Sequence, residues 1–469
     1  MTETAISALH AAFARQRAAF AAEPRRTLSQ RLKDLFALQT ALKKHETAIA
    51  EVISADFGHR APAETQLAEV SFLLADLRHT RRHLARWADT RPVPVEMTLK
   101  PGKAYIRREP KGVVGIISPW NYPVQLALAP LIAAIAAGNR VMIKPSELTP
   151  KTSAFLKQFL GALFDEDLVS VIEGGADIAS AFSALPFDHI LFTGSTAVGR
   201  KVAESAAKNL TPVTLELGGK SPAVIAPDYD VREAAKTLSW GKFFNAGQTC
   251  IAPDYVLVPR EKLHVFTEAA LAEIRDMWVN SANHADYTAI ISERHFDRLN
   301  AMVEAARSAG DSVHQVEELA QNTNTRHFAP TLILNPARDS AVMREEIFGP
   351  IWPIIAYDSL DDAIAYIRQG DHPLALYAYA KNTDTARQII RRTQSGGASI
   401  NVPFLHMSVA DLPFGGVGAS GYGAYHGEHG FLTFTHQRGV FEAPSWHPLK
   451  WIRPPYGRLF KALNWLQSR

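Results

Sequence analysis

Cys250 is the only cysteine of the chain, and it ends the segment Asn245-Ala-Gly-Gln-Thr-Cys250. The small and polar residues before it predict a turn and not a core segment. A free cysteine often packs as an inert apolar group, but one presented on a turn can attack an electron-poor carbon through its thiolate. We interpret Cys250 as a candidate nucleophile and keep the packing role as its alternative.

Asn121 lies in the segment Ser118-Pro-Trp-Asn-Tyr-Pro123, directly after a predicted strand. By itself, an asparagine framed by prolines is best explained as a turn former. Together with Cys250 it acquires a second interpretation. Attack on a carbonyl creates an oxyanion, and a side-chain amide combined with a backbone N–H can stabilise that charge.

Glu216 lies within the otherwise apolar segment Val213-Thr-Leu-Glu-Leu217, which two glycines follow. Burial there would raise the pKa of the carboxyl towards neutrality and make Glu216 a candidate general base. A buried ion pair with a nearby lysine explains the same pattern equally well. The sequence leaves both interpretations open.

A glycine-containing turn, Gly194-Ser-Thr-Ala-Val-Gly199, joins a predicted strand to a predicted helix. Gly194, Ser195 and Gly199 would let the backbone approach a pyrophosphate at the N-terminus of that helix. The turn departs from the G-x-G-x-x-G dinucleotide motif, because Thr196 occupies the position of the second glycine. Alone, the turn is a weak indication of a dinucleotide site.

Lys144 and Glu147 follow another predicted strand, in Ile143-Lys-Pro-Ser-Glu147. Both side chains could bind the hydroxyls of a ribose. A carboxylate at that place would repel a 2′-phosphate, so the pair favours NAD over NADP. Until the two residues are considered with the glycine turn, a solvated loop explains them equally well.

The elements that must position these residues alternate between strand and helix. Short apolar runs such as 112–117 and 189–192 are separated by helical patterns, after a helical region from Leu28 to about Trp87. Such alternation predicts parallel sheets covered by helices. The second half repeats it, so the predicted fold class is α/β with two doubly wound parallel-sheet domains facing each other across a cleft.

Composition excludes several classes of function. The chain has 469 residues and a net charge of +3, with no basic stripe interleaved with aromatic residues, so we expect no nucleic-acid partner. A single cysteine excludes an intrachain disulfide and a cysteine-cluster metal site, and we predict no metal centre. The first twenty residues lack the order of a signal peptide, and the longest apolar run, Val124 to Gly138, is too short to span a bilayer. These features predict a cytoplasmic location.

Seven ordered motifs carry a family resemblance from about residue 10 to about residue 438. They are Pro119-Trp-Asn-Tyr-Pro123, Lys144-Pro-Ser-Glu147, Phe192-Thr-Gly-Ser-Thr196, Leu215-Glu-Leu-Gly-Gly219, Gly247-Gln-Thr-Cys250, Glu346-Ile-Phe-Gly-Pro350 and Pro413-Phe-Gly-Gly-Val-Gly418. In order and spacing they resemble the aldehyde dehydrogenase superfamily. The segment Gly418 to Gly427 looks like the class 3 branch, which includes fatty, aromatic and coniferyl aldehyde dehydrogenases.

The resemblance implies a role for each matching residue. Cys250 would be the nucleophile, Asn121 the oxyanion donor, and Glu216 the base that activates water to hydrolyse a Cys250 thioester. The resemblance also implies a cofactor site. Glu346 and Phe348 would hold the nicotinamide ribose and ring, and Lys144 and Glu147 would bind the adenosine ribose. The remaining implied cofactor residues are Trp120 and, in the pyrophosphate turn, Gly194, Ser195 and Gly199. Some class 3 enzymes accept NADP despite the glutamate, so NAD is the expected cofactor and NADP its alternative.

The implied reaction is NAD(P)-dependent oxidation of an aldehyde to the acid. The substrate would be aromatic, a phenylpropenal such as coniferyl aldehyde, or a medium- to long-chain aliphatic aldehyde. One alternative is transfer of the acyl group to coenzyme A, but enzymes of that kind generally lack the glutamate that Glu216 provides. Another alternative is a non-catalytic binding or structural protein on the same fold.

The resemblance also implies a division of the chain and a homodimer. The cofactor domain would comprise 1–91 and 111–216, the catalytic domain 217–396, and a small β oligomerisation arm 92–110 and 397–438. In the tail, 439–469, one predicted helical face carries Leu459, Phe460, Leu463 and Leu466. We expect that face to pack on the protein body or over the substrate mouth, with a membrane surface as the less favoured partner.

Overall fold

A computed structural model describes residues 2–279, 285–319, 325–445 and 453–467 of the chain. Its strands are β1 Arg91–Val93, β2 Lys103–Pro110, β3 Val113–Ile117, β4 Arg140–Lys144, β5 Val169–Val171, β6 His189–Thr193, β7 Val213–Glu216, β8 Pro222–Ile225, β9 Tyr255–Pro259, β10 Ser312–Gln315, β11 Thr331–Leu334, β12 Ile351–Tyr357, β13 Ala375–Tyr379, β14 Gly397–Ile400, β15 Gly421–Tyr422 and β16 Thr435–Glu442.

The α-helices lie between these strands. They are α1 Thr2–Ala22, α2 Leu28–Lys44, α3 Glu46–Phe57, α4 Pro62–Thr65, α5 Phe72–Ala88, α6 Gln125–Ala137, α7 Pro150–Gly161, α8 Ala176–Ser183, α9 Thr196–Ala207, α10 Val231–Phe243, α11 Leu263–Ile274, α12 Glu293–Ser308, α13 Ala341–Arg344, α14 Leu360–Arg368, α15 Thr383–Arg392, α16 Gly427–Thr433 and α17 Arg458–Gln467. A π-helical turn, Gln66–Ser71, connects α4 to α5.

The first sheet is six-stranded, in the order β15-β7-β6-β3-β4-β5, and its strands are parallel except for β15. Helix α6 packs against this sheet with all of its residues buried, which explains its continuous apolar sequence. It ends at Gly138, which has the left-handed conformation expected of a C-terminal glycine cap (φ +92°). The prediction of a parallel sheet with covering helices is confirmed.

The second sheet has seven strands in the order β10-β11-β12-β9-β8-β13-β14, and only β10 pairs antiparallel. A separate three-stranded sheet, β1-β2-β16, is antiparallel throughout. A small β arm that includes residues 92–110, as predicted, is therefore present. Its third strand comes from the C-terminal part of the chain. The predicted fold class, two α/β units with parallel sheets and a small β arm, is confirmed.

One strand pairing needs a glycine. Strand β15 returns along the edge of β7, so that Gly421 lies opposite Glu216. Gly421 has φ +122°, and a Cβ atom there would clash with the carbonyl oxygen of Leu215. Only glycine allows this close approach of two backbones.

In the part of the chain that the structure describes, no helix combines the length and apolar character that crossing a membrane requires. Across the same residues, His, Cys, Asp and Glu side chains form no group of three or more that could hold a metal ion.

Candidate active site

Four of the predicted site residues lie at the carboxyl ends of neighbouring parallel strands, where open α/β sheets bind their ligands. Asn121 follows β3, Lys144 ends β4, Gly194 follows β6 and Glu216 ends β7. Two buried hydroxyls at the same edge, those of Ser118 and Thr193, have no hydrogen-bond partner in the part of the chain that the structure describes. Unsatisfied buried hydroxyls at one edge of a sheet fit a site whose ligand supplies the missing partners.

Cys250 follows a strained turn. In the 3₁₀ turn Phe244–Gly247, Asn245 and Ala246 have φ values of +52° and +51°, a conformation that costs a side-chain-bearing residue about 1–3 kcal/mol. Gln248 holds this turn, because its amide donates to the carbonyls of Asn245 and Ala289 at 3.1 Å and accepts from Ile291 N–H at 3.0 Å. The turn predicted before Cys250 is therefore present, and three buried hydrogen bonds determine its shape.

Asn121 is tied to the cysteine turn. Its side-chain Nδ2 donates to the backbone carbonyl of Gln248 at 3.1 Å, and its backbone carbonyl accepts from Asn245 Nδ2 at 3.2 Å. The side chain is buried. A primary amide has two N–H donors, so one remains for another acceptor. Asn121 is thus more than a local turn former, because it connects two segments that are 127 residues apart.

Glu216 is buried, and neither of its carboxylate oxygens has a hydrogen-bond partner among the described residues. The ion pair with a lysine, which the sequence left open, is not formed there. Burial raises the pKa of this carboxyl well above its usual value. An unpartnered carboxyl of raised pKa is suited to exchange a proton with a reacting group.

Glu216 affects the ionisation of Cys250. Burial is the main cause that raises the pKa of the Cys250 thiol to about 12, and the charges of Glu346 and Glu216 add to it. At neutral pH the thiol is therefore largely protonated. Cys250 must therefore transfer its proton to an acceptor when it reacts, and the nearby Glu346 and Glu216 make this transfer harder because they raise the pKa of the thiol.

Glu346 lines a groove that Gly218 also lines, and Phe348 follows it in the same segment. The Glu346 carboxylate lies over Gly218, where any Cβ atom would clash with it. Burial, followed by the charge of Asp254, raises the pKa of Glu346 to about 8. The Phe348 ring makes an edge contact with Trp120, with 5.4 Å between ring centroids. The structure thus brings these three predicted cofactor residues to one place.

The segment that carries Glu346 and Phe348 is held by charged groups. Lys220 Nζ donates to the carbonyls of Val342 and Glu345 at 2.8 and 2.9 Å, and Asp254 accepts from Ile347 N–H at 2.9 Å. Phe348 itself has φ +49°. These contacts fix a strained segment against the groove.

The remaining predicted cofactor residues line the same sheet edge. Lys144 is buried, and its Nζ lies 3.5 Å from the Glu147 carboxylate, which is about half exposed. Ser195 caps α9 by accepting from Val198 N–H at 3.4 Å. A Cβ atom on Gly199 would lie only 2.7 Å from a Leu217 methyl, so glycine lets helix and strand approach closely. A helix N-terminus and a Lys–Glu pair at one edge of the sheet fit a dinucleotide with its pyrophosphate and ribose.

The sequence analysis missed the aromatic cavity beside Cys250. Its walls consist mainly of aromatic side chains and a methionine, namely Tyr122, Phe244, Phe404, Met407, Phe414 and Tyr425. These residues come from distant parts of the chain, so no local pattern could have identified them. Family motifs such as Pro413 to Gly418 contain some of these residues, but a motif does not tell which of its side chains line the cavity beside the thiol.

Comparison with known proteins agrees with this geometry. The sequence model of the aldehyde dehydrogenase family matches residues 2–440. A relative from Pseudomonas aeruginosa named probable coniferyl aldehyde dehydrogenase is 44% identical, and the match covers 98% of this chain and 96% of that relative.

Solved structures are similar over nearly the whole chain. The substrate-bound state of Staphylococcus aureus AldH is 38% identical, with a TM-score of 0.93 over 98% of this chain and 99% of that one. A Mycobacterium tuberculosis aldehyde dehydrogenase complexed with NAD⁺ is 28% identical, with a TM-score of 0.83 over 93% and 90% of the two chains. The chain belongs to the aldehyde dehydrogenase family, in its class 3-like branch, and is an enzyme that oxidises aldehydes with NAD or, as an alternative, NADP.

Proposed function

We propose that Cys250, Asn121 and Glu216 divide the oxidation into two stages. In the first, the Cys250 thiol gives its proton to water, and the thiolate sulfur then bonds to the aldehyde carbon. The resulting oxyanion accepts hydrogen bonds from Asn121 Nδ2 and from the Cys250 N–H, and departure of hydride from that carbon leaves a thioester on Cys250. The observation that carries the proposal is the buried Asn121 side chain bound to the turn that presents the thiol.

In the second stage, Glu216 takes a proton from water, which attacks the thioester and releases the acid. The unpartnered, buried carboxyl of raised pKa supports this role. Two covalent stages replace one difficult step with two easier ones.

NAD supplies the hydride acceptor when it is bound. We propose that Glu346, Phe348 and Trp120 hold its nicotinamide end. We propose that Lys144 and Glu147 bind the adenosine ribose, and that the turn with Gly194, Ser195 and Gly199 binds the pyrophosphate. The closely packed Gly199 and the exposed Glu147 beside buried Lys144 support this assignment.

For the substrate, we propose a planar aromatic or phenylpropenal aldehyde. Five aromatic side chains around the thiol, with Met407, favour a flat apolar group over a flexible alkyl chain. The relative named for coniferyl aldehyde points in the same direction.

A panel of aldehydes tests the substrate and the acceptor together. Coniferaldehyde, benzaldehyde and decanal are assayed with NAD and with NADP, each with and without coenzyme A. We expect kcat/KM for coniferaldehyde to exceed that for decanal by about tenfold or more, which corresponds to about 1.4 kcal/mol, with NAD preferred and no dependence on coenzyme A. Preference for decanal would refute the substrate class, and a requirement for coenzyme A would refute water as the acyl acceptor.

We propose that the chain forms a homodimer through the β1-β2-β16 arm. The arm exposes apolar side chains, including Val93, Met97 and Phe441, and exposed strand edges favour pairing with another chain. We also propose the domain division predicted above, with boundaries corrected by the sheets. The catalytic domain extends to residue 400, because β14 belongs to the seven-stranded sheet, and the arm extends to residue 442, because β16 belongs to the three-stranded sheet. Strand β15 joins the cofactor domain, because it belongs to the six-stranded sheet.

Phe441→Glu tests the interface. Phe441 is 49% exposed on the arm, so the charge should not disturb the fold but should weaken an apolar interface. Light scattering should give twice the 51.5 kDa chain mass for the wild type and a shift towards the monomer for the variant. Leu210→Glu, at a 90% exposed position outside the arm, is the matched control; an equal shift in both variants, or none in either, contradicts the proposal.

For the tail, we propose packing on the protein body, with a membrane surface as the alternative. Leu459 and Trp465 on α17 are about half exposed, so either partner would cover apolar surface. Residues 446–452, 468 and 469 of the tail lie outside the described ranges. Co-sedimentation with vesicles, with and without residues 447–469, separates the two: tail-dependent binding would refute packing.

A further inference from the structure

A buried ion pair lies next to the catalytic residues but is not one of them. Arg60 Nη1 and Glu69 Oε1 are 2.9 Å apart, and both side chains are fully inaccessible to solvent. Burying two charges is costly, and a buried ion pair often stabilises a fold no more than apolar residues would. The pair therefore calls for an explanation beyond stability.

Glu69 holds the start of helix α6. Its second oxygen, Oε2, accepts from the N–H groups of Val124 and Gln125 at 2.8 and 2.9 Å. No side chain within the helix start itself provides a cap, and the first N–H groups of a helix need such acceptors. Glu69 thereby fixes the backbone three and four residues after Asn121.

Arg60 holds Asn121 itself. The same Nη1 that meets Glu69 donates to the Asn121 carbonyl at 2.9 Å. The guanidinium also lies over the Tyr122 ring, 4.8 Å from its centroid, a distance at which cation and ring attract. One side chain thus contacts two consecutive residues of the segment that carries the amide.

The position of Glu69 in the chain connects this pair to the reacting thiol. Glu69 lies on the π-helical turn Gln66–Ser71, and its neighbour Ala68 lines the cavity beside Cys250. Turns of this type within helices often occur at functional sites, because the extra residue redirects side chains.

We propose that Arg60 and Glu69 are positioning residues for the oxyanion donor Asn121, an inference that rests on the function proposed for Asn121. The pair holds the segment on both sides of the amide, at residue 121 and at residues 124 and 125. Without it, the backbone carbonyl of Asn121 would keep the Asn245 amide as its only side-chain donor among the described residues. A displacement of about 1 Å in a reacting group can lower a rate by about a hundredfold.

The test replaces both charges together, as Arg60→Met with Glu69→Gln, so that no lone buried charge remains. Stopped-flow measurement of the NADH burst reports the first stage. We expect the burst rate constant to fall by about 10- to 100-fold with an unchanged dissociation constant for NAD. Glu69→Gln alone is the second variant, because glutamine keeps an acceptor for Val124 and Gln125 but presents an N–H group to Arg60.

A double-mutant cycle with Asn121→Ala identifies the route of the effect. If the ion pair acts through Asn121, replacing the pair in a variant that already carries Asn121→Ala should lower the burst rate constant by less than about twofold. Full additivity would overturn the inference. So would a pair variant that loses thermal stability but keeps the wild-type burst rate. If Asn121→Ala alone left the burst unchanged, the function proposed for Asn121 would fail first.

The matched control is another ion pair, remote from the site. Arg26 and Asp34 are 2.6 Å apart, with side chains about 15% exposed. Arg26→Met with Asp34→Asn should change the melting temperature but not the burst rate. A similar fall of the burst rate in this control would overturn the inference, since any lost ion pair would then have the same effect.

Discussion

Replacing Cys250 with alanine is expected to lower kcat by about 10⁴-fold or more, the size of loss seen when a covalent nucleophile is removed. The chain has no second cysteine that could take its place. Without the sulfur no thioester forms, and the two-stage route is closed. Steady-state NADH formation with coniferaldehyde measures the loss.

The control for this variant is cofactor binding. Cys250→Ala should bind NAD with the wild-type dissociation constant, because none of the contacts that hold Glu346 and Phe348 involves the thiol. A kcat within tenfold of the wild type would contradict covalent catalysis at Cys250.

In the wild type without ligands, alkylation of Cys250 by iodoacetamide should be slow at pH 7 and faster at higher pH, because the pKa of the thiol is raised to about 12.

Glu216→Gln is expected to separate the two stages. The variant should release about one NADH per site in a burst and then turn over about 10²- to 10⁴-fold more slowly, since water loses its general base. Intact-mass measurement should show the acyl group retained on Cys250. Loss of the burst itself would mean that Glu216 acts before the thioester forms, and would refute its role as the base for hydrolysis.

The pH dependence follows from the raised pKa of Glu216. A general base must be ionised, so steady-state turnover of the wild type should fall as pH decreases through that raised pKa, and the glutamine variant should lose this dependence.

The contribution of Glu216 to the free energy of unfolding has the opposite dependence on pH. A carboxyl whose pKa is higher in the folded state contributes stability below its unfolded pKa and loses it as pH rises through the folded value. Melting curves should therefore show that the melting temperature of Glu216→Gln increases relative to that of the wild type as pH rises.

Several features of this protein followed from local sequence. The turn before Cys250 was predicted from small and polar residues, and it is present as the strained turn Phe244–Gly247. The alternation of strands and helices predicted the parallel sheets, because apolar periodicity is a local property of the chain. Ordered motifs such as Leu215 to Gly219 identified the family, which comparison with known proteins confirmed.

Other features depended on contacts between distant residues. Whether Glu216 has a lysine partner could be decided only from the packing around it, which leaves both of its oxygens unpartnered. The aromatic cavity beside Cys250 combines side chains more than 300 residues apart in sequence, such as Tyr122 and Tyr425. Arg60 and Glu69 resemble ordinary charged residues in a helical region until folding buries them against Asn121. Residue type and spacing determine what a side chain can do, but burial and partners determine its pKa and its role, and these arise only when distant segments pack together.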